Sequence, residues 1–324
     1  MGAAKGLTAA STYGGVLMAQ DAKQDILTES GTNEVEIIEF NVGGNIYGIN
    51  VAKVKTVSNF SPVTPVPNTH PSIKGIIKPR DEVITVVDLP RYLNVPPSEN
   101  EAGDYFIITY FNKVHIAFQV HKVVRIHRIS WKSLEKADST LAGDDQEGLI
   151  IGVVKIENRL VIILDFEKII YDIAPKTGIN LGDIDLLGTR QRTSKPILIA
   201  EDSVLLSKML YHSLSKAGYD NIYFANDGQE AWEYLNDLAA RHPGEPVESY
   251  MNCVITDIEM PRMDGHRFTK LIREDKVFGR LPVIIFSSLI NLDMKRKGEA
   301  LGATAQITKP EINNLVGLID EHIL

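Results

Sequence analysis

The chain has 324 residues, 44% of them apolar, enough for two domains with cores of ordinary size. Acidic residues outnumber basic ones 42 to 34, a formal net charge of −8, which removes the electrostatic case for holding nucleic acid or an anionic membrane surface. The single cysteine, Cys253, forbids an internal disulfide, and no apolar run approaches the roughly 18 residues needed to cross a bilayer, so a cytoplasmic protein without direct membrane insertion is expected.

Residues 1–33 are small and polar, with one weakly amphipathic piece around Ala19 to Leu27, and read as a flexible arm ending in a short helix. From residue 34 to 172 the apolar residues come in short Val- and Ile-rich runs separated by Gly, Asn or Pro, the pattern of many short strands. This half is predicted all-β, of barrel or sandwich type. It also repeats. Gly75 to Leu93 lies without a gap on Gly152 to Ile170, pairing Gly with Gly, Lys78 with Lys155 and Asp88 with Asp165, and a looser match relates Ile37–Val57 to Phe106–Ile126. Two related small barrels built on one hairpin plan are the economical inference. His115, His121 and His127 lack a Cys or carboxylate at ligand spacing and are read as surface or structural histidines. Without a reactive cluster, this half reads as a surface for holding other proteins.

The Gly75 to Leu93 segment resembles the CheW family of chemotaxis coupling proteins, through Arg80, Val86, Asp88 and Leu89; Asp81 and Thr85 depart from the family's glycine and proline. The resemblance implies two SH3-like β-barrels that bridge the histidine kinase CheA to the cytoplasmic tips of chemoreceptors. Arg80 is then either a partner contact or half of a local ion pair with Asp81 or Glu82. Residues 173–194, with Pro175 and three glycines, read as a linker.

Residues 195–324 alternate strand and helix in five βα units, which predicts a parallel sheet with helices on both faces and a site outside the carboxyl ends of its strands. Those ends carry Glu201 and Asp202, then Asp257, then Ser287, then Lys309. Converging carboxylates need a hard cation, and Mg²⁺ takes oxygen ligands while leaving room for a phosphoryl group. Asp257 is thus the candidate phosphoacceptor, with Lys309 and Ser287 aimed at phosphoryl oxygens.

This constellation, with Met260-Pro261, Met263-Asp264-Gly265 and Lys309-Pro310, resembles the response-regulator receiver family. The resemblance implies a flavodoxin-like α/β fold, a five-stranded parallel sheet of order 2-1-3-4-5. It also implies Mg²⁺ held by Asp202, Asp257 and the backbone carbonyl of Glu259, with Glu201 acting through water, and a cis Lys309-Pro310 bond. Gln306 stands where receivers often carry a switching aromatic, and Leu289 and Glu259 flank the hydrolytic water, so slow self-dephosphorylation is expected. Together the halves resemble the CheV family of chemotaxis coupling proteins. The expected function is an adaptor that is not an enzyme, resides at chemoreceptor arrays through its partners, and is adjusted by phosphorylation of Asp257 in adaptation or as a phosphate sink. The competing reading is a Mg-dependent phosphohydrolase acting through an aspartyl phosphate.

Overall fold

The hairpin repeat reappears in the backbone register. In the computed structural model, residues 34–324 are described except 80, 112–113, 136–147, 176–178, 180–183, 185–186, 189, 289, 291 and 324. The arm expected over residues 1–33 lies outside the described residues. The β half runs β1 (Glu34–Val42), β2 (Asn45–Asn50), β3 (Val54–Asn59), β4 (Ile73–Ile77), β5 (Ile84–Asp88), β6 (Tyr105–Phe111), β7 (Val114–Val120), β8 (Lys122–Ser130), β9 (Leu134–Glu135), β10 (Ile150–Ile156) and β11 (Arg159–Leu164). Helix α1 (Leu89–Tyr92) follows β5, and α2 (Phe166–Ile173) follows β11.

Hairpins β4–β5 and β10–β11 share one plan. Gly75 pairs with Val86 beside a register shift, as Gly152 pairs with Ile163. At Gly75 an added Cβ would sit 2.1 Å from the Thr64 carbonyl oxygen, which is why the motif needs glycine there. Asp88 and Asp165 then cap the following helices, accepting from the main-chain N–H of Arg91 and of Glu167 and Lys168 respectively. Hairpins β1–β2 and β6–β7 also match, Ile37 pairing with Asn50 as Phe106 pairs with Gln119.

The two copies exchange everything after their opening hairpins. One sheet has the order β8-β1-β2-β11-β10-β9 and the other β3-β6-β7-β5-β4, so β8 and hairpin β10–β11 of the second copy complete the sheet that β1–β2 begins, and β3 with hairpin β4–β5 of the first completes the sheet of β6–β7. Each sheet curls over its own small core, Val35, Ile37, Val154, Val161 and Ile163 in one, Ile77, Ile84, Val86, Phe106 and Ile108 in the other. A larger shared core holds Phe40, Phe118 and Phe166, the last two edge to face at 4.7 Å. Glu39 occupies a buried position equivalent to Ile108; Arg159 at 2.9 Å and His127 at 2.5 Å compensate it. His115 pairs with Glu82 and Lys55, and His121 accepts from the Gly43 N–H, so the three histidines have separate structural partners.

The α/β half runs β12 (Ile197–Ala200), α3 (Val204–Lys216), β13 (Ile222–Ala225), α4 (Gly228–Arg241), β14 (Cys253–Thr256), α5 (Gly265–Glu274), β15 (Val283–Ser287), α6 (Leu292–Ala300), β16 (Ala305–Thr308) and α7 (Ile312–Ile323). Its parallel sheet has the order β13-β12-β14-β15-β16, the expected 2-1-3-4-5. Ser203 caps α3 and Asp227 caps α4. One face of the sheet packs Leu206, Leu210, Leu214, Leu315 and Ile319, the other Leu235, Phe268, Ile272 and Phe278. Cys253 is buried on β14, its thiol pushed up to about 12 by burial, and serves as a small apolar residue. Ile179 and Ile184, from the segment read as a linker, join the first of these cores, and Arg190 pairs with Asp320 on α7. Among the described residues no helix is long and apolar enough to cross a membrane.

Candidate phosphoacceptor site

Parallel pairing sets the site. Ala200 at the end of β12 lies beside Thr256 at the end of β14, and the Asp257 N–H donates to the Ala200 carbonyl at 3.0 Å. Ser287 ends β15 opposite Thr308 of β16, and the Lys309 N–H donates to the Ser287 carbonyl at 3.1 Å. Four strand ends therefore deliver Glu201, Asp202, Asp257, Ser287 and Lys309 to one edge, as the alternation in the sequence predicts. One carboxylate oxygen from each of Glu201, Asp202 and Asp257 lies within 4.8 Å of the others.

Lys309 Nζ donates at 2.8 Å to both Asp257 Oδ2 and Glu201 Oε2, while Asp257 Oδ1 accepts from the Ile258 N–H at 2.6 Å. Asp257 is 5% exposed and Lys309 1%. Burial opposes ionisation of Asp257, but Lys309, the Ser287 hydroxyl and Lys53 outweigh it and hold its carboxyl below the usual range. Burial lifts Glu201 well above the carboxylate range against the pull of Lys309, and lifts Asp202 to about 8 against that of Lys53. Lys309, desolvated but facing Asp257 and Glu201, is held above its ordinary value.

Gly265 makes the phosphoacceptor turn possible. A Cβ there would lie 1.9 Å from the Asp257 carbonyl oxygen, and the Gly265 N–H donates to the Ile258 carbonyl at 2.9 Å. Gly265→Ala should therefore displace the Asp257 backbone and destabilise the fold by about 1–3 kcal/mol, the range of overpacking. Urea unfolding checks this; an unchanged midpoint would contradict the close approach.

Glu259 lies two residues after Asp257, its side chain 8% exposed, both carboxylate oxygens without a hydrogen-bond partner and Lys53 Nζ at 3.8 Å. Burial pushes its carboxyl up to about 8. An all-oxygen donor set with excess negative charge fits a hard divalent cation better than a soft metal. The Lys309-Pro310 peptide is cis, as the receiver resemblance implies. Gln306 sits on β16 with its Nε2 donating to the Lys295 carbonyl of α6 at 2.7 Å, so an amide tether occupies the place of the switching aromatic. Arg80 and Leu289 lie outside the described residues.

Sequence reasoning did not find the groups that the β half adds to this edge. Lys53 Nζ lies 3.4 Å from Glu167 and 3.8 Å from Glu259, Ser203 Oγ donates to Asp165 at 3.1 Å, and Ser288 Oγ donates to Glu167 at 3.2 Å. The available signal was Asp165, whose repeat partner Asp88 marks it as a helix cap; the cap's second oxygen is the one that takes Ser203.

Comparison with known proteins finds two families in the chain. Residues 36–174 match the CheW-like domain and residues 197–320 the response regulator receiver domain. The chain is 31% identical to the chemotaxis protein CheV3 of Helicobacter pylori over 86% of its own length and 91% of that protein's. It is 30% identical to the chemotaxis protein CheW of Thermotoga maritima over 45% of its length and 94% of that protein's. The crystal structure of the scaffolding protein TtCheW from Thermoanaerobacter tengcongensis aligns at 22% identity and a TM-score of 0.38, covering 41% of this chain and 89% of that one.

Proposed function

The chain belongs to the CheV family of chemotaxis coupling proteins, and from that premise we propose that its β half links the kinase CheA to the cytoplasmic tips of chemoreceptors while Asp257 accepts a phosphoryl group that adjusts the link. The reading is carried by the oxygen cluster of Glu201, Asp202 and Asp257 facing Lys309 at the strand ends. Asp202, Asp257 and the main-chain carbonyl of Glu259 would hold Mg²⁺, with Glu201 acting through water. The cation supplies charge neutralisation for an incoming phosphoryl group.

The chain's own residues supply the rest. The Ile258 N–H and Lys309 fix the Asp257 carboxylate, whose remaining lone pairs are free to attack phosphorus as the bond to the donor's histidine breaks. Lys309 and Ser287 then take phosphoryl oxygens, and the new charge biases the receiver toward one conformation. The phosphohydrolase reading needs Glu259 as a general acid facing a substrate, whereas its side chain is 8% exposed and lies against Lys53 of the β half. Leu289, apolar at the position that flanks the hydrolytic water in receivers, cannot orient that water, so the acyl phosphate should persist; a half-life of seconds would contradict this.

The test is phosphotransfer from phosphorylated CheA to the full chain, followed by borohydride trapping, which converts an aspartyl phosphate to homoserine. Homoserine at position 257 is expected. Stable association with kinase and receptor fragments but modification elsewhere, or none, would overturn the assignment.

A further inference from the structure

The β half sits against the mouth of the acidic site. Lys53 ends the single turn Val51–Lys53, its ammonium 5.7 Å from the centroid of the Phe111 ring, so the barrel fixes where it points. It lies between Glu167 of its own half and Glu259 of the receiver, at 3.4 and 3.8 Å, and its side chain is 11% exposed. Its charge also acts on Asp202 and Asp257. Two hydrogen bonds, Ser203 to Asp165 and Ser288 to Glu167, close the same contact.

The contact is electrostatically poised. Carboxylates from both halves, Asp165 and Glu167 facing Glu201, Asp202, Asp257 and Glu259, share Lys53 and Lys309 as counter-charges. The Lys53 distances exceed the roughly 2.7–2.9 Å of a strong charge-assisted hydrogen bond, whereas Lys309 makes its contacts at 2.8 Å. A divalent cation held by Asp202 and Asp257 would take up one of the acids that attract Lys53 and set a second, stronger positive charge near its ammonium. A phosphoryl group engaging Ser287 would bring added negative charge to the neighbour of Ser288, which holds Glu167.

We propose that Lys53 is a built-in counter-cation that docks the coupling domain over the phosphoacceptor site, and that divalent cation and phosphoryl group compete with it, so that occupancy of the site releases the two domains. This rests on the reading of Asp257 as phosphoacceptor. Docking then lowers the affinity of the site for cation, and by reciprocity the cation weakens docking. The released surface carries Lys53, Asp165 and Glu167, groups that the docked state hides from a partner.

The experiment uses the full chain as wild type, Lys53→Met and Lys53→Arg. Calorimetric titration with MgCl2 should show the Met variant binding about fivefold or more tightly, the lower end of ordinary coupling, with the Arg variant close to wild type. Hydrogen exchange of wild type over residues 166–173 should accelerate when MgCl2 and beryllofluoride, a phosphoryl mimic, are added together. Unchanged or weaker Mg²⁺ binding by the Met variant overturns the proposal, as does exchange over 166–173 that ignores the additives; the latter arm decides even if the Met variant misfolds. Phosphate mapped to Asp257 alongside unchanged Mg²⁺ affinity sinks the docking role alone. Tighter Mg²⁺ binding without phosphate uptake sinks the phosphoacceptor reading alone.

Discussion

Asp257→Asn should abolish phosphate uptake from CheA, a loss of at least about 10³-fold, because an amide is not a competent nucleophile toward phosphorus. The fold should survive. The amide oxygen of Asn can still accept from the Ile258 N–H, and Lys309 keeps Glu201 at 2.8 Å, so no buried charge loses its last partner. Mg²⁺ should bind roughly tenfold or more weakly, since affinity at oxygen sites follows the number of ligand charges. Association with kinase and receptor fragments should persist, because those contacts are assigned to the β half. Radiolabel transfer, calorimetry and pull-down on one preparation check the three statements; parallel loss of label and of partner binding would make Asp257 a structural residue.

Lys309→Met should have the largest effect on stability. The ammonium is 1% exposed and bonded to two carboxylates; removing it strands Asp257 and Glu201 among other acids. Breaking a buried ion pair in this way costs about 3–5 kcal/mol. Metal should restore much of it, since a ligand present at 100 times its Kd adds about 2.7 kcal/mol to the folded state. The urea midpoint of the Met variant should therefore be low with chelator and rise steeply with MgCl2. A midpoint equal to wild type in chelator would show that Lys309 does not balance the acids.

The elements of this chain were legible where side chains repeat with a period. Alternating runs separated strands from helices, and the strand ends of the α/β half fixed the positions of Glu201, Asp202, Asp257, Ser287 and Lys309, because parallel register places successive carboxyl ends together. The repeat of Gly75 in Gly152 predicted two hairpins of one register. The exchange of β3–β5 for β8–β11 between the two sheets was not legible, because a strand has the same alternation whichever sheet it joins. Glu39 was hidden for another reason: a single acid at a core position shows its compensation only when Arg159 and His127 arrive from distant strands. Lys53 reads as an ordinary solvated lysine in a turn, and only the apposition of the two halves gives it Glu259 and Glu167.

The proposed function puts kinase coupling and the phosphoryl switch for that coupling on one chain. It is tested most directly by measuring kinase autophosphorylation in assemblies of receptor, CheA and this protein, with the protein added either unmodified or bound to Mg²⁺ and beryllofluoride. Wild type should support kinase activity at two different levels in the two states, and Asp257→Asn should hold one level throughout. Equal activity of wild type in both states would contradict it.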